Sequence, residues 1–212
     1  MVGPGRAIVA LALITSSAYA QKPQLSVLLP ERELLGTDGP TVRSTAIVSD
    51  GAMRDLLNNG FPARLHYRIE RWATGGWFDD IKATAEWDVL VRYNALGRKY
   101  EVFRAVGGRA TPLGSFEALA DADAAIGAPF QAPVSPPRRG RRSYYNLVLE
   151  IETLSLTELD ELERWLRGEL RPLVRGKKNP GTAVSRGVRT VVVRLLGGEK
   201  RRYEARSGTF RP

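Results

Sequence analysis

The stretch FPARLHYRIERWATGGWFDDIKATAEWDVLVRYNALGRKYEVF, Phe61 to Phe103, decides the fold class. In its first part Ala63, Leu65, Tyr67 and Ile69 are apolar, and Arg64, His66, Arg68 and Glu70 alternate with them. From Ile81 to Asn94 the pattern repeats more strongly. Ile81, Ala83, Ala85, Trp87, Val89, Val91 and Tyr93 alternate with Lys82, Thr84, Glu86, Asp88, Leu90, Arg92 and Asn94. Successive side chains of a strand point to opposite faces, so this pattern predicts antiparallel strands with one face buried and one wet. Three such strands joined by two tight connections form a meander.

A register follows from the charges. With Trp72 opposite Asp80, Glu70 faces Lys82, His66 faces Glu86, Arg64 faces Asp88, and Leu65 meets Trp87. In the second hairpin, centred on Leu96-Gly97, Tyr93 faces Tyr100, Val91 faces Val102 and Arg92 faces Glu101. Gly97 is expected to supply the positive φ of that turn. Cross-strand pairing thus accounts for these charges without an active site.

Outward from the meander, Gln24–Leu29 is a short strand ended by Pro30, and Thr41–Ser49 is a second. Asp50 occupies the N-cap position of a helix carrying Met53, Leu56 and Leu57 on one stripe and stopped by Gly60. Ser115–Ile126 reads as a second helix, capped by Ser115 and closed by Gly127. Ala128–Ser143, with four prolines and four arginines, is expected as an exposed loop. Alternation resumes in Tyr144–Thr153, with Tyr145, Leu147, Leu149 and Ile151 on one side. Ser155-Leu156-Thr157-Glu158 matches a capping box ahead of a leucine-striped amphipathic helix. Val184–Leu196 fits an amphipathic helix or a valine-rich buried strand, with helix preferred. The tail EKRRYEARSGTFRP adds a last edge strand. The expected fold is mainly β (α+β): an antiparallel β-sandwich or curved sheet with a few peripheral helices, forming one domain over residues 21–212.

Export is the expected fate of the chain. Arg6, the apolar run Ala7–Ile14 and the small-x-small sequence Ala18-Tyr19-Ala20 make up a signal peptide over residues 1–20, cleaved after Ala20. The run is shorter than the roughly 20 residues of a membrane span. The chain lacks cysteine, which excludes disulfides, thiolate catalysis and thiolate-bound zinc. With 43% hydrophobic and 26% charged residues it has the balance of a globular protein rather than a disordered one. A net charge of +9 would suggest nucleic acid in a cytosolic protein. For a periplasmic one it points instead to anionic lipid, glycan phosphate or an acidic partner, or it simply keeps the domain soluble.

Candidate chemistry is sparse. His66, the sole histidine, falls on a polar strand face opposite a carboxylate and reads as a surface pair. Glu86 and Asp88 share that face about 7 Å apart, a spacing compatible with glycoside hydrolysis. Asp121 and Asp123 cannot face one site together. No motif calls for a cofactor or metal. The exposed aromatic tip Trp77-Phe78 with Asp79-Asp80 is the candidate partner-binding loop. Arg138, Arg139, Arg141 and Arg142 are candidates for an anionic surface.

Leu56-Leu57-Asn58-Asn59-Gly60-Phe61-Pro62, Ile69-Glu70-Arg71-Trp72, Trp77, Val91-Arg92-Tyr93-Asn94-Ala95-Leu96, Lys99-Tyr100-Glu101-Val102 and Ser115-Phe116-Glu117-Ala118-Leu119 occur in an order that carries a resemblance. Over Thr41–Thr153 the chain resembles the exported bacterial family known as domain of unknown function 4390. The C-terminal part departs from that family. The resemblance implies an accessory role in envelope sensing and brings no catalytic residues. The expected function is therefore a non-catalytic envelope protein that binds another envelope protein, such as a membrane sensor. A peripheral binder of anionic lipid or glycan is the alternative, and a hydrolase built on Glu86 and Asp88 ranks third.

Overall fold

The computed structural model describes residues 22–75, 78–137, 141–154 and 201–212. The expected leader 1–20, Trp77, Arg138, Arg139, the helix read from Ser155 and the Val184–Leu196 segment lie outside the described residues. The architecture is mainly β, with strands β1 (Gln24–Leu28), β2 (Thr41–Thr45), β3 (Ala63–Ala73), β4 (Asp80–Asn94) and β5 (Lys99–Val106). They are followed by β6 (Arg109–Phe116), β7 (Phe130–Gln131), β8 (Ser143–Thr153) and β9 (Arg201–Arg206). Helix α1 (Gly51–Asn58) lies between β2 and β3, and α2 (Leu119–Gly127) between β6 and β7. All pairings are antiparallel, in a small sheet ordered β1-β2-β7 and a large one ordered β6-β5-β4-β3-β8-β9.

The alternation read from the sequence becomes the inner face of the large sheet. Leu65, Ile69, Leu147 and Leu149 are each fully buried, as are Val91 and Val102. Val27 and Val42 of the small sheet, Leu57 of α1 and Ile126 of α2 join the same core. Each such side chain contributes about 1.5–3 kcal/mol relative to exposure. Asp50 caps α1 as expected, accepting a hydrogen bond from the Met53 N–H at 3.0 Å. It also pairs with Arg201 of β9, tying the C-terminal edge strand to the helix start.

The second hairpin has the expected register, with Tyr93 opposite Tyr100 and Arg92 opposite Glu101. The first does not. Ala73, not Trp72, faces Asp80, and a bulge between Arg71 and Trp72 then leaves Lys82 without a residue opposite it on β3. Beyond it Arg68 faces Glu86, His66 faces Asp88, and Tyr67 rather than Leu65 faces Trp87. This even displacement of two residues keeps every side chain on its predicted face. It also stacks the Tyr67 and Trp87 rings, 5.1 Å between centroids and 5° from parallel, which favours this register over the predicted one.

Three further expectations are corrected. The positive φ of the second turn falls on Arg98 (φ 51), not on Gly97. The helix expected from Ser115 starts at Leu119, because Gly107-Gly108 turns the chain with φ of 56 and 80 and β6 extends the meander. Ser115 is thereby a strand residue opposite Glu101. The proline-rich loop is not wholly exposed: Ala132 and Val134 are buried. Ala132 N–H donates to Pro40 O at 2.9 Å, and its carbonyl oxygen sits where a Cβ on Gly39 would approach to 2.5 Å, so only glycine fits there.

Candidate functional site

The tip of the first hairpin is built by the strands that flank it. Ala73 pairs with Asp80 on one side and with Ser143 on the other, so β8 begins beside the β3–β4 connection. Thr74 N–H donates to Arg142 O at 2.8 Å, and its hydroxyl donates to the same oxygen at 3.3 Å. The Tyr144 hydroxyl donates to Asp79 at 3.1 Å. Two regions far apart in sequence, the Phe78–Asp80 tip and the Arg141-Arg142 approach to β8, therefore occupy one end of the sheet. Trp77, Arg138 and Arg139 belong to the same candidates in sequence but lie outside the described residues.

On this framework Phe78 is 85% exposed. Asp80 is exposed and pairs with Lys82 at 3.2 Å. Arg141 and Arg142 are exposed and form no ion pair with a described residue. Behind them runs a row on the outer face. The Arg206 guanidinium lies 3.5 Å from the Tyr144 ring centroid, and Tyr144 is parallel to Trp72 at 6.2 Å. The Trp72 indole donates to Glu70 at 3.1 Å, and Glu70, buried, pairs with Arg68 at 2.6 Å. Burial first, and then the Asp79 carboxylate it donates to, raise the Tyr144 phenol above its ordinary pKa, so it stays a neutral donor. The Arg206–Tyr144 and Tyr144–Trp72 contacts join neighbouring strands and the other two run along β3, so the base under Phe78 is braced across β9, β8 and β3.

Asp88, at the far end of the outer face, is held by its neighbours. Arg64 holds Asp88 through two bonds of 2.9 and 3.0 Å, and His66 Nδ1 meets it at 2.9 Å. Burial raises the Asp88 carboxyl, but the bonds and charges of His66 and Arg64 outweigh it and hold the pKa below the ordinary value. A glycosidic general acid requires the opposite shift. Glu86, its expected companion, is exposed on the same strand, opposite Arg68.

Two buried polar features escaped the reading of the sequence. Asp123 of α2 accepts three backbone N–H bonds, from Ala46, Ile47 and Val48, each at 2.8 Å. Asp121 points to solvent, so the two acids do not share a site. Arg104 stands on the inner face of β5, opposite Val89. Both had a local signal. Asp123 falls on the helix stripe of Leu119, Ala122 and Ile126, and Arg104 interrupts the inward series Tyr100, Val102, Val106. A charge at an apolar position marks a buried polar contact. Set against known proteins, the chain matches no family model, no characterised protein and no solved structure.

Proposed function

We propose that this chain is an exported, non-catalytic binding module of the bacterial envelope, docking a partner protein through the hairpin tip at the end of the large sheet. The observation that carries the reading is Phe78: a large apolar side chain, 85% exposed, held out by a connection bonded to β8. An anchor presented from a rigid base loses little conformational freedom on binding, which is the property of an interface hot spot. The leader Met1–Ala20 and the resemblance over Thr41–Thr153 support an envelope location and an accessory role beside a membrane sensor. In-cell crosslinking of the tagged protein, with Phe78→Ala as the control, tests it. One dominant envelope protein, lost in the variant, is the expected result, and a capture unchanged by Phe78→Ala refutes it.

Arg141 and Arg142, exposed beside the tip and without an ion pair among the described residues, support a second reading, binding to anionic lipid or glycan. Each arginine near such a surface contributes about 1 kcal/mol. That reading predicts binding to phosphatidylglycerol vesicles that falls steeply with salt and is lost in Arg141→Ser, Arg142→Ser.

A further inference from the structure

Between the two sheets a small pocket is lined by Ser44 of β2, Tyr67 of β3, Arg104 of β5 and the apolar walls of Val42, Trp87 and Phe130. The exposed Arg43 also lines it. Tyr67 is 2% exposed; its hydroxyl is buried near the Ser44 side chain and makes no hydrogen bond of good geometry among the described residues. Arg104 Nε is buried and equally without a partner. The Arg104 guanidinium packs 4.1 Å from the Phe130 ring centroid and forms no ion pair with a described residue. The interior space is about 10 Å³, room for one water-sized group. Burial lifts the Tyr67 phenol to about 12, so it is a neutral O–H donor at any physiological pH.

The groups left short of partners are donors. Phenol and guanidinium both offer hydrogens, the Ser44 hydroxyl can offer or accept one, and the neighbouring acid, Asp123, already accepts three N–H bonds. A water placed here could serve both donors and give a hydrogen to Ser44, but it would leave the guanidinium charge without a counter-ion. An oxyanion only accepts, and its charge offsets that of a half-buried guanidinium. We infer that this pocket binds an oxyanion, a carboxylate or phosphate group whose leading oxygen enters between Tyr67, Arg104 and Ser44. The site lies between the sheets and does not rest on the docking reading of the hairpin tip.

Thermal unfolding and calorimetric titration of the purified full chain test it, with acetate and inorganic phosphate as probes and chloride holding ionic strength constant. Saturable stabilisation by acetate assigns a carboxylate site, and by phosphate a phosphoryl site. Tyr67→Phe removes only the orphan oxygen and is expected to weaken binding about tenfold, as does Arg104→Met. Without anion, Tyr67→Phe leaves the unfolding temperature unchanged or higher, because no partner is lost. Three results each overturn the inference. They are no saturable response to either anion, unaltered affinity in Tyr67→Phe, and a lower unfolding temperature of anion-free Tyr67→Phe, which would show the hydroxyl satisfied by Ser44 or a resident water.

Discussion

Asp123 offers the sharpest test of how the two sheets are joined. Its carboxylate leaves α2 and closes over the backbone after β2, taking the N–H groups of Ala46, Ile47 and Val48 at 2.8 Å each. Only 8% of Asp123 is exposed, so water cannot easily replace it. It also holds Ala46 at φ 56, a left-handed conformation that costs a non-glycine residue about 1 kcal/mol. Each buried N–H deprived of its acceptor costs about 1–3 kcal/mol, so Asp123→Ala has a ceiling of roughly 3–9 kcal/mol. Partial hydration of the vacated space brings the expected loss to about 3–5 kcal/mol, a large part of the ~5–15 kcal/mol of a typical domain. Asp123→Asn is milder. Ile47 and Val48 share one oxygen, so an amide can keep both bonds while its NH2 opposes Ala46 N–H, at a cost of about 1–3 kcal/mol. Urea unfolding followed by tryptophan fluorescence reads both variants, with a lower midpoint and an unchanged slope expected. A loss below about 1 kcal/mol in Asp123→Ala refutes the reasoning.

Acid sensitivity should trace in part to Asp88. Its folded pKa lies below the unfolded value, so the stability it contributes is present above about pH 4 and is lost as pH falls through the folded pKa. Asp50 and Glu101 shift in the same direction, so Asp88→Asn should shallow the acid limb of stability against pH without abolishing it. Identical limbs in variant and parent would contradict the assignment. In the second turn, Arg98→Gly relieves a positive φ on an exposed residue and should raise stability by a few tenths to about 1 kcal/mol after the entropy of glycine is counted. Gly97→Ala should be tolerated, since an added Cβ meets only the Asn94 side chain at 3.6–3.7 Å. A lower melting temperature for Arg98→Gly, or a large loss in Gly97→Ala, would place the strain elsewhere in the turn.

Much of the fold was legible because alternation is a local property. The inner faces of β3, β4 and β8, the Asp50 cap and the second hairpin register each depend on residues close in the chain. The charges of Arg92 and Glu101 pointed to their pairing, and they do pair, at 2.7 Å. Strand β6 was missed because Pro112 and Gly114 break its pattern, and only the β5 edge beside it makes the segment extended. The first hairpin was displaced because charge pairing is satisfied almost as well two residues away. Arg64 still reaches Asp88 from the diagonal position, so the electrostatics did not discriminate and the Tyr67–Trp87 stack did.

The candidate site divides along the same line. Trp77, Phe78, Asp79 and Asp80 stand out in the sequence because aromatic and acidic residues interrupt two alternating runs, and Arg141-Arg142 because four arginines cluster among prolines. That Phe78 projects above a tip anchored by Tyr144, next to Arg142, depends on β8 pairing with β3 across a long stretch of intervening chain. The Tyr67 hydroxyl and Arg104 Nε, without a hydrogen bond among the described residues, owe that state to the small sheet covering the large one. By itself the sequence determined which residues face inward, since side-chain direction follows from backbone period. Which strands become neighbours, and hence which polar groups meet or are left without partners, was decided only by the tertiary structure, because those contacts join distant segments whose pairing is selected by the packing of the whole core.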